Sequence, residues 1–115
     1  MKKVIVQDTD ADLLETLTIV LEQARFNVRP VCHYREVIHH INHFCPDLVL
    51  LDYKMAGEEC IHLCRLIKKI HPYLPIIALS CNLSIKNEYA KGGFDNYIEK
   101  PFDLNHLITV VNSSY

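Results

Sequence analysis

The stretch in the middle of the chain reads Asp47-Leu48-Val49-Leu50-Leu51-Asp52. Its four central residues are apolar, so both faces of an extended chain would be apolar here. A strand with two apolar faces is typical of the centre of a parallel sheet, where helices cover both sides. The stretch therefore predicts a buried parallel strand over residues 47–52 that ends in the carboxylate of Asp52.

Strands and helices alternate on both sides of this central strand. Short β-branched or apolar runs predict four further strands, at residues 3–7, 27–32, 75–80 and 95–99. Apolar residues at helical spacing predict five helices, at residues 13–21, 34–44, 61–70, 84–90 and 103–111. Because each helix follows a strand, the pattern predicts an α/β fold, a doubly wound five-stranded parallel sheet with strand order 2-1-3-4-5.

Length and composition limit what the chain can be. Its 115 residues and mass of 13.3 kDa predict a single domain over residues 1–115. Hydrophobic residues make up 50% and charged residues 23%, which excludes a disordered chain. The net charge of −2 provides no basic surface for nucleic acid or an anionic membrane, so we expect neither as a partner. The amino terminus has no signal-peptide core, and we expect a cytoplasmic location.

Cysteine and histidine are frequent but give only weak signals of metal binding. The five cysteines are an odd number, and no two have the two-residue gap of a zinc or redox motif. Cys60 and Cys64 are four residues apart and share a predicted helix face, so we expect packing residues in a reducing compartment. His39 and His43 could also share a helix face, but solvated helix residues are the favoured interpretation of two histidines alone.

Polar side chains stand at the carboxyl ends of four predicted strands. In strand order along the chain they are Gln7 and Asp8, then Asp52, Ser80 and Lys100. These ends meet at one edge of the sheet, where the strand order reverses and ligands bind. Two carboxylates that meet need a divalent cation, a proton or a lysine between them, and oxygen ligands suit Mg²⁺. A metal, a lysine and a hydroxyl around one carboxylate predict a phosphoryl-transfer site with that carboxylate as the attacking group.

Four motifs carry a resemblance to a known family. They are Val6-Gln7-Asp8, the run from Pro46 to Gly57, the strand from Pro75 to Ser80, and Tyr97-Ile98-Glu99-Lys100-Pro101-Phe102. In this order and at these strand ends, they resemble the response-regulator receiver domains of two-component signalling. The resemblance covers the whole chain and implies the flavodoxin-like, CheY-like version of the predicted fold.

The resemblance implies a role for each strand-end residue. Asp52 would accept a phosphoryl group from a sensor histidine kinase or a phosphotransfer protein and become an aspartyl phosphate. The side chains of Asp8 and Asp52 and the backbone carbonyl of Lys54 would hold Mg²⁺ (or Mn²⁺). Lys100 and Ser80 would contact the phosphoryl oxygens. The peptide bond between Lys100 and Pro101 would be cis, as in many family members.

The resemblance also implies a two-state switch. Ser80 would move toward the phosphoryl group, and Tyr97 would fill the space that Ser80 leaves. The surface of the fourth helix, fifth strand and last helix would then change for a downstream protein target. Such a domain catalyses only its own phosphorylation and dephosphorylation, so we do not expect an enzyme acting on an external substrate.

The sequence departs from the family pattern at several positions. Gln7 stands where an acid is usual, so it would hold a metal-bound water without the negative charge, and we expect weakened Mg²⁺ binding. Cys81 is larger than the usual alanine or glycine beside the phosphoryl group. Lys54 and Asn82 would flank the path of an attacking water and tune the lifetime of the acyl phosphate. The loop after Asp52 lacks the usual proline and has Cys60 in place of a glycine.

Two alternatives stay open at this point. The chain could be a receiver-like module that takes no phosphate and acts only by binding proteins, an interpretation that Gln7 favours. The run Asp8-Thr9-Asp10-Ala11-Asp12 also resembles the haloacid-dehalogenase phosphatase motif, in which Asp8 would be the nucleophile and Asp10 the general acid. That motif requires threonine or valine at Asp12, which weakens the phosphatase interpretation.

Overall fold

The computed structural model describes residues 1–54, 57–81 and 85–115 and contains one sheet of five parallel strands. The strands are β1 (Lys3–Gln7), β2 (Asn27–Val31), β3 (Leu48–Tyr53), β4 (Ile76–Ser80) and β5 (Asn96–Glu99). The α-helices are α1 (Ala11–Gln23), α2 (Val37–Phe44), α3 (Glu58–Ile70), α4 (Ile85–Glu88) and α5 (Leu104–Ser113). The order β2-β1-β3-β4-β5 confirms the predicted doubly wound sheet.

The helices differ from the prediction in length. Within the described residues, α4 is a single turn of four residues, whereas the other four α-helices have eight to thirteen. The predicted helix at residues 34–44 begins as a 3₁₀ turn, Tyr34–Glu36, and becomes α-helical at Val37. The predicted start of α1 is confirmed, because the Asp10 side chain accepts hydrogen bonds from the Asp12 and Leu13 amides.

The core lies in two layers, one on each face of the sheet. All six residues of β3 are buried, as its apolar sequence predicts. Leu48 and Leu50 join the cluster of α1 and α5, whereas Val49 and Leu51 join the cluster of α2 and α3. Successive side chains of a strand point to opposite faces, so this one strand supports both layers. The central strand is thereby fixed from both sides, and its carboxyl end holds Asp52 in place.

The strand register brings the polar strand ends to one edge. Gln7 of β1 is level with Leu51 of β3, one residue before Asp52. Tyr53 of β3 is level with Ser80 of β4, and Ser80 is level with Glu99 of β5. The residues that follow these strand ends therefore face a common crevice, as the topology predicts for a doubly wound sheet.

Cys60 and Cys64 have the packing role that the sequence predicts. Cys60 and Cys64 are buried on α3, and all five cysteines are free thiols. Burial raises the pKa of the Cys64 thiol to about 12, so this group is a packing residue rather than a reactive thiolate. In the part of the chain that the structure describes, we find no helix with the length and apolar character of a membrane span.

Gly57, which precedes α3, is expected to tolerate no side chain. Its φ of 79° lies in the left-handed region, and a Cβ there would come within 2.1 Å of the buried Tyr53 ring. The conformation alone costs an alanine about 1–2 kcal/mol, and displacing Tyr53 adds to that cost. We expect Gly57→Ala to lower the free energy of unfolding by about 2–4 kcal/mol in urea denaturation.

A matched control separates the two costs. Gly93 also has a positive φ, of 92°, but a Cβ there would only make an ordinary contact with the Cys64 sulfur at 3.7 Å. Gly93→Ala should therefore carry the conformational cost alone. Equal losses of stability in the two variants would contradict the role assigned to the Tyr53 contact.

Candidate functional site

One lysine joins the two carboxylates at the sheet edge. The Lys100 Nζ lies 2.7 Å from the Asp8 Oδ2 and 3.0 Å from the Asp52 Oδ1. Asp8 is 1% exposed and Asp52 is 6% exposed, so both acids are withdrawn from bulk water. Since two oxygens from different strands face the same nitrogen, the carboxylates are close enough to share one cation. The structure thus brings Asp8, Asp52 and Lys100 together as the sequence predicts.

Backbone hydrogen bonds position the Lys100 main chain and the Asp8 carboxylate. The Lys100 amide donates to the Ser80 carbonyl at 2.7 Å, and the Lys100–Pro101 peptide is cis, as predicted. The second oxygen of Asp8, Oδ1, accepts from the Asp10 amide at 2.9 Å. Ser80 is 1% exposed at the end of β4, on the same edge. Main-chain hydrogen bonds therefore fix the Asp8 carboxylate and the backbone of Lys100.

Burial and charge act in opposite directions on the titration of the site. Burial is the largest influence on Asp52 and raises the pKa of its carboxyl group above the usual range. The negative charge of Asp8 raises it further, whereas the hydrogen bond and charge of Lys100 oppose the rise. Burial lowers the pKa of Lys100, but the hydrogen bonds to Asp8 and Asp52 outweigh burial and raise it. The site therefore keeps Lys100 as a cation.

The donor set fits a hard divalent cation. Within the described residues, no three side chains of His, Cys, Asp or Glu surround one point. A cation in the crevice would use the two carboxylates with backbone oxygen and water, which is the donor set that Mg²⁺ prefers. Softer ions that need several imidazole or thiolate ligands do not fit this crevice.

Gln7 has a role that the sequence does not predict. Its side chain is fully buried, and its Nε2 donates to the Cys32 carbonyl at 2.9 Å. Its Oε1 accepts from the Asp52 amide at 3.2 Å. One neutral amide thus ties the end of β2 to the end of β3, beside the carboxylate of Asp52. The predicted water-mediated metal contact stays a prediction, and it would use the second lone pair of Oε1.

Tyr34 is a residue of the site that sequence reasoning missed. Its hydroxyl donates to the backbone carbonyl of Asp52. Burial raises the pKa of the Tyr34 hydroxyl, and the nearby Cys60 thiol and Asp52 carboxylate raise it further. The signal was available, since Tyr34 follows β2 and β2 is the neighbour of β1 in the predicted strand order. The predicted site comprises residues at the ends of the other four strands alone.

Asp10 does not take the place of a phosphatase acid. Its side chain caps α1 by accepting the Asp12 and Leu13 amides, and Asp10 is exposed. The carboxylates that meet in the crevice are those of Asp8 and Asp52, which belong to different strand ends. The arrangement therefore favours Asp52 over Asp10 as the functional partner of Asp8.

The comparison with known proteins decides the family. A family model, the response regulator receiver domain, matches residues 4–112. The chain belongs to this family. As a receiver domain it is a component of two-component signalling, with the CheY-like arrangement of a 2-1-3-4-5 sheet.

Individual relatives agree with this assignment. The receiver domain is 31% identical to the DNA-binding response regulator MtrA of Mycolicibacterium paratuberculosis over 97% of this chain and 50% of MtrA. The receiver domain of the Francisella response regulator 1452 is 29% identical, with a TM-score of 0.87, over 98% of this chain and 95% of that one. Vibrio cholerae CheY4, at 19% identity, supports the fold, with a TM-score of 0.88 over 100% and 99% of the two chains. The chain spans about half the length of its MtrA relatives.

Four further residues are predicted to belong to the site or the switch: Lys54, Tyr97, Cys81 and Asn82. The Lys54 carbonyl accepts from the Gly57 amide at 2.7 Å, and its role as a metal ligand stays a prediction. Tyr97 is half-buried on β5, and its ring packs against Tyr89 with centroids 4.9 Å apart. Cys81 is exposed directly after Ser80, on the crevice side of β4. Asn82, the other predicted tuning residue, lies outside the described residues.

Proposed function

We propose that this receiver domain accepts a phosphoryl group on Asp52. The observation that carries the proposal is the contact of one ammonium, that of Lys100, with the carboxylates of Asp8 and Asp52. This arrangement places a nucleophilic carboxylate beside a cation that can offset charge on a phosphoryl group. The pseudo-receiver alternative rested on Gln7 alone, and the structure gives Gln7 a bridging role that leaves both carboxylates in the crevice.

Receiver domains generally bind Mg²⁺, and the residues of this crevice fit that ion. We propose that Asp8, Asp52 and the Lys54 carbonyl hold Mg²⁺ (or Mn²⁺), with water completing the shell. When bound, the ion neutralises negative charge on the phosphoryl oxygens and on the carboxylates. The Lys100 ammonium now faces both carboxylates and would turn toward the phosphoryl oxygens.

The chemical step uses the chain's own groups. A carboxylate oxygen of Asp52 attacks the phosphorus of a phosphohistidine on the donor protein. The new O–P bond forms as the P–N bond breaks, and the electron pair returns to the imidazole nitrogen, which takes up a proton. Lys100 and Ser80 then contact the phosphoryl oxygens, and the acyl phosphate replaces about one negative charge by nearly two. The chain acts only on itself in this step and is not an enzyme for an external substrate.

The partners and location follow from the same chemistry. The phosphoryl donor is a sensor histidine kinase or a phosphotransfer protein, and the output is a downstream protein target that senses Ser80 and Tyr97 through the face of α4, β5 and α5. We propose that residues 1–115 act as one receiver domain in the cytoplasm, where free thiols such as those of the five cysteines persist. The curated relatives MtrA and NtrC are described as DNA-binding.

Acetyl phosphate tests the proposal on the wild-type chain with Mg²⁺. A labile adduct on Asp52, detected as the mass gain of one phosphoryl group and mapped by reduction with borohydride, is the expected result. Continuous release of phosphate through Asp8 would instead support a phosphatase. A protein that forms no adduct, and no beryllofluoride complex either, is a pseudo-receiver.

As the pH is lowered, Mg²⁺ affinity is expected to begin to fall at a higher pH than it would if Asp52 had the usual pKa of an aspartate. The pKa of Asp52 is raised, and only the ionised carboxylate binds the cation. Affinity should therefore decline about tenfold per pH unit once the pH falls below the raised pKa. Calorimetric titration with Mg²⁺ across the acidic range measures the decline, and Asp52→Asn serves as the control that removes this titration.

An acid at position 7 is expected to tighten Mg²⁺ binding. Gln7→Asp restores the charge that is usual in the family, and the isosteric Gln7→Glu keeps the side-chain length. We expect at least a tenfold gain in affinity for one of the two. Both should also lower the stability of the metal-free protein, because the Cys32 carbonyl loses its donor and a third carboxylate is buried. Unchanged titration curves in both variants would argue against a place for Gln7 beside the metal.

A further inference from the structure

A second cluster of titratable side chains lies on α2 and shares no residue with the acidic crevice. His39 and His43 are both exposed and one helical turn apart. Their ring centroids are 4.2 Å apart, with an angle of 39° between the ring planes. Side chains at this spacing lie on the same helix face, and two imidazoles so placed can reach one metal ion.

A hydrogen bond sets the tautomer of His43. Its Nδ1 lies 2.8 Å from the backbone carbonyl oxygen of His39. A carbonyl oxygen only accepts, so the Nδ1 carries the proton and donates it. The Nε2 of the neutral ring then presents a lone pair. Metal-bound histidines typically donate their other ring N–H to a carbonyl or carboxylate in this way, which holds the ring in orientation.

His40, the histidine next to His39, has the opposite tautomer to His43. The His40 Nδ1 lies 3.3 Å from the Arg29 Nη1, and a guanidinium only donates, so the Nδ1 of His40 is the acceptor. Its lone pair is therefore used by Arg29, and in the neutral ring the Nε2 carries the proton. His40 is next to His39 in sequence, with ring centroids 5.6 Å apart, but lacks the ligand lone pair that His43 offers.

We propose that His39 and His43 form a two-ligand surface site for a divalent transition-metal ion that favours imidazole, the class of Ni²⁺, Cu²⁺ and Zn²⁺. Among the described residues no third His, Cys, Asp or Glu completes a metal cluster, so water fills the remaining positions. The site is distinct from the crevice in ligand chemistry, since Mg²⁺ prefers oxygen. The proposal does not depend on phosphorylation of Asp52.

Metal binding at this site would stabilise α2. An ion that binds only the folded helix raises the folding equilibrium constant by mass action. At an ion concentration ten times the Kd, the increase is about elevenfold. α2 directly follows Tyr34–Glu36, the 3₁₀ turn whose Tyr34 hydroxyl contacts the Asp52 carbonyl. The bound ion would therefore stabilise the helix that directly follows the Tyr34 contact with Asp52.

Calorimetric titration of the full chain with Ni²⁺ tests the proposal. Saturating Mg²⁺ is present throughout, so that the carboxylates of the crevice are occupied by the harder ion. We expect one equivalent of Ni²⁺ to bind, and His39→Ala and His43→Ala each to lower the affinity at least tenfold. His40→Ala is the matched control, from the same helix and the same residue type, and should bind as the wild type does.

Two outcomes would overturn the proposal. The first is unchanged Ni²⁺ affinity in both the His39 and His43 variants. The second is a loss of Ni²⁺ affinity that appears only in Cys45→Ser, because this result would assign the ion to the exposed thiol after α2. Paramagnetic broadening by Ni²⁺ in the wild-type NMR spectrum provides a check that needs no variant. The imidazole signals of His39 and His43 should broaden first, and earlier broadening of His62 or His106 contradicts the site.

Discussion

Asp52→Asn is expected to yield a folded protein that takes up no phosphoryl group from acetyl phosphate and Mg²⁺. The amide has no negative oxygen to attack phosphorus, so the covalent adduct cannot form. The change keeps the shape of the side chain, and the Lys100 ammonium keeps its contact with Asp8 at 2.7 Å. Intact-mass measurement after incubation with acetyl phosphate reads the result directly.

The same variant should gain stability at neutral pH. The pKa of Asp52 is higher in the folded chain than in the unfolded chain, so the folded state binds the proton more tightly. Stability that comes from this proton is present at low pH and is lost as the pH rises through the folded pKa. At pH 7 the buried carboxylate therefore costs stability, and Asp52→Asn removes that cost. Urea denaturation at pH 7 should give a higher midpoint than the wild type.

Two controls make the result specific. Asp12 is exposed in the first turn of α1, so Asp12→Asn should label with acetyl phosphate as the wild type does. Asp8→Asn keeps the acceptor but removes one proposed metal ligand, so it should label slowly and need more Mg²⁺. Full labelling of the Asp52 variant would place the acceptor elsewhere and refute the proposed function.

Lys100→Met is expected to change metal binding and phosphorylation in opposite directions. The ammonium is a cation between two buried carboxylates, so it competes with a metal for the same oxygens. Its removal should raise Mg²⁺ affinity at least tenfold, which corresponds to about 1.4 kcal/mol. The phosphorylation rate should fall by about 10²- to 10³-fold, because a donor to the phosphoryl oxygens is lost.

Stability provides a second readout of Lys100→Met. Without Mg²⁺, the variant leaves two carboxylates buried and unpaired, which costs about 3–5 kcal/mol. Mg²⁺ should restore much of that loss, so the melting temperature of the variant becomes strongly dependent on the ion. Lys91→Met, at an exposed lysine, is the control and should behave as the wild type. Parallel losses of metal affinity and phosphorylation would contradict a competing role for Lys100.

The sequence could predict the fold because its signals are local. The apolar run over residues 47–52 has two hydrophobic faces, and only a central parallel strand buries both. The Cys45-Pro46 step ends α2 as expected, because a residue before proline avoids the helical conformation. The 3₁₀ turn Tyr34–Glu36 was not predictable in the same way, since its sequence continues the helical pattern and tertiary contacts of Tyr34 decide its geometry.

The site also contains some residues that the sequence could predict and some features that it could not. Asp8, Asp52 and Lys100 were predictable, because each stands at a strand end and the topology alone brings those ends together. The bridging role of Gln7 was not, since it depends on the Cys32 carbonyl and the Asp52 amide, whose orientation follows from the packed backbone. Backbone partners have no signature in the sequence, so a polar residue near a site can be found but its partner cannot.

The hydrogen bond from the Lys100 amide to the Ser80 carbonyl has a mechanical consequence. Ser80, the proposed switch residue, ends β4 and Lys100 directly follows β5, and this hydrogen bond joins their main chains. A shift of the Ser80 peptide must either break this bond or carry the base of the Lys100 side chain with it. The two groups that we propose to contact the phosphoryl oxygens would then move together, and formation of the acyl phosphate would draw both strand ends toward the crevice at once.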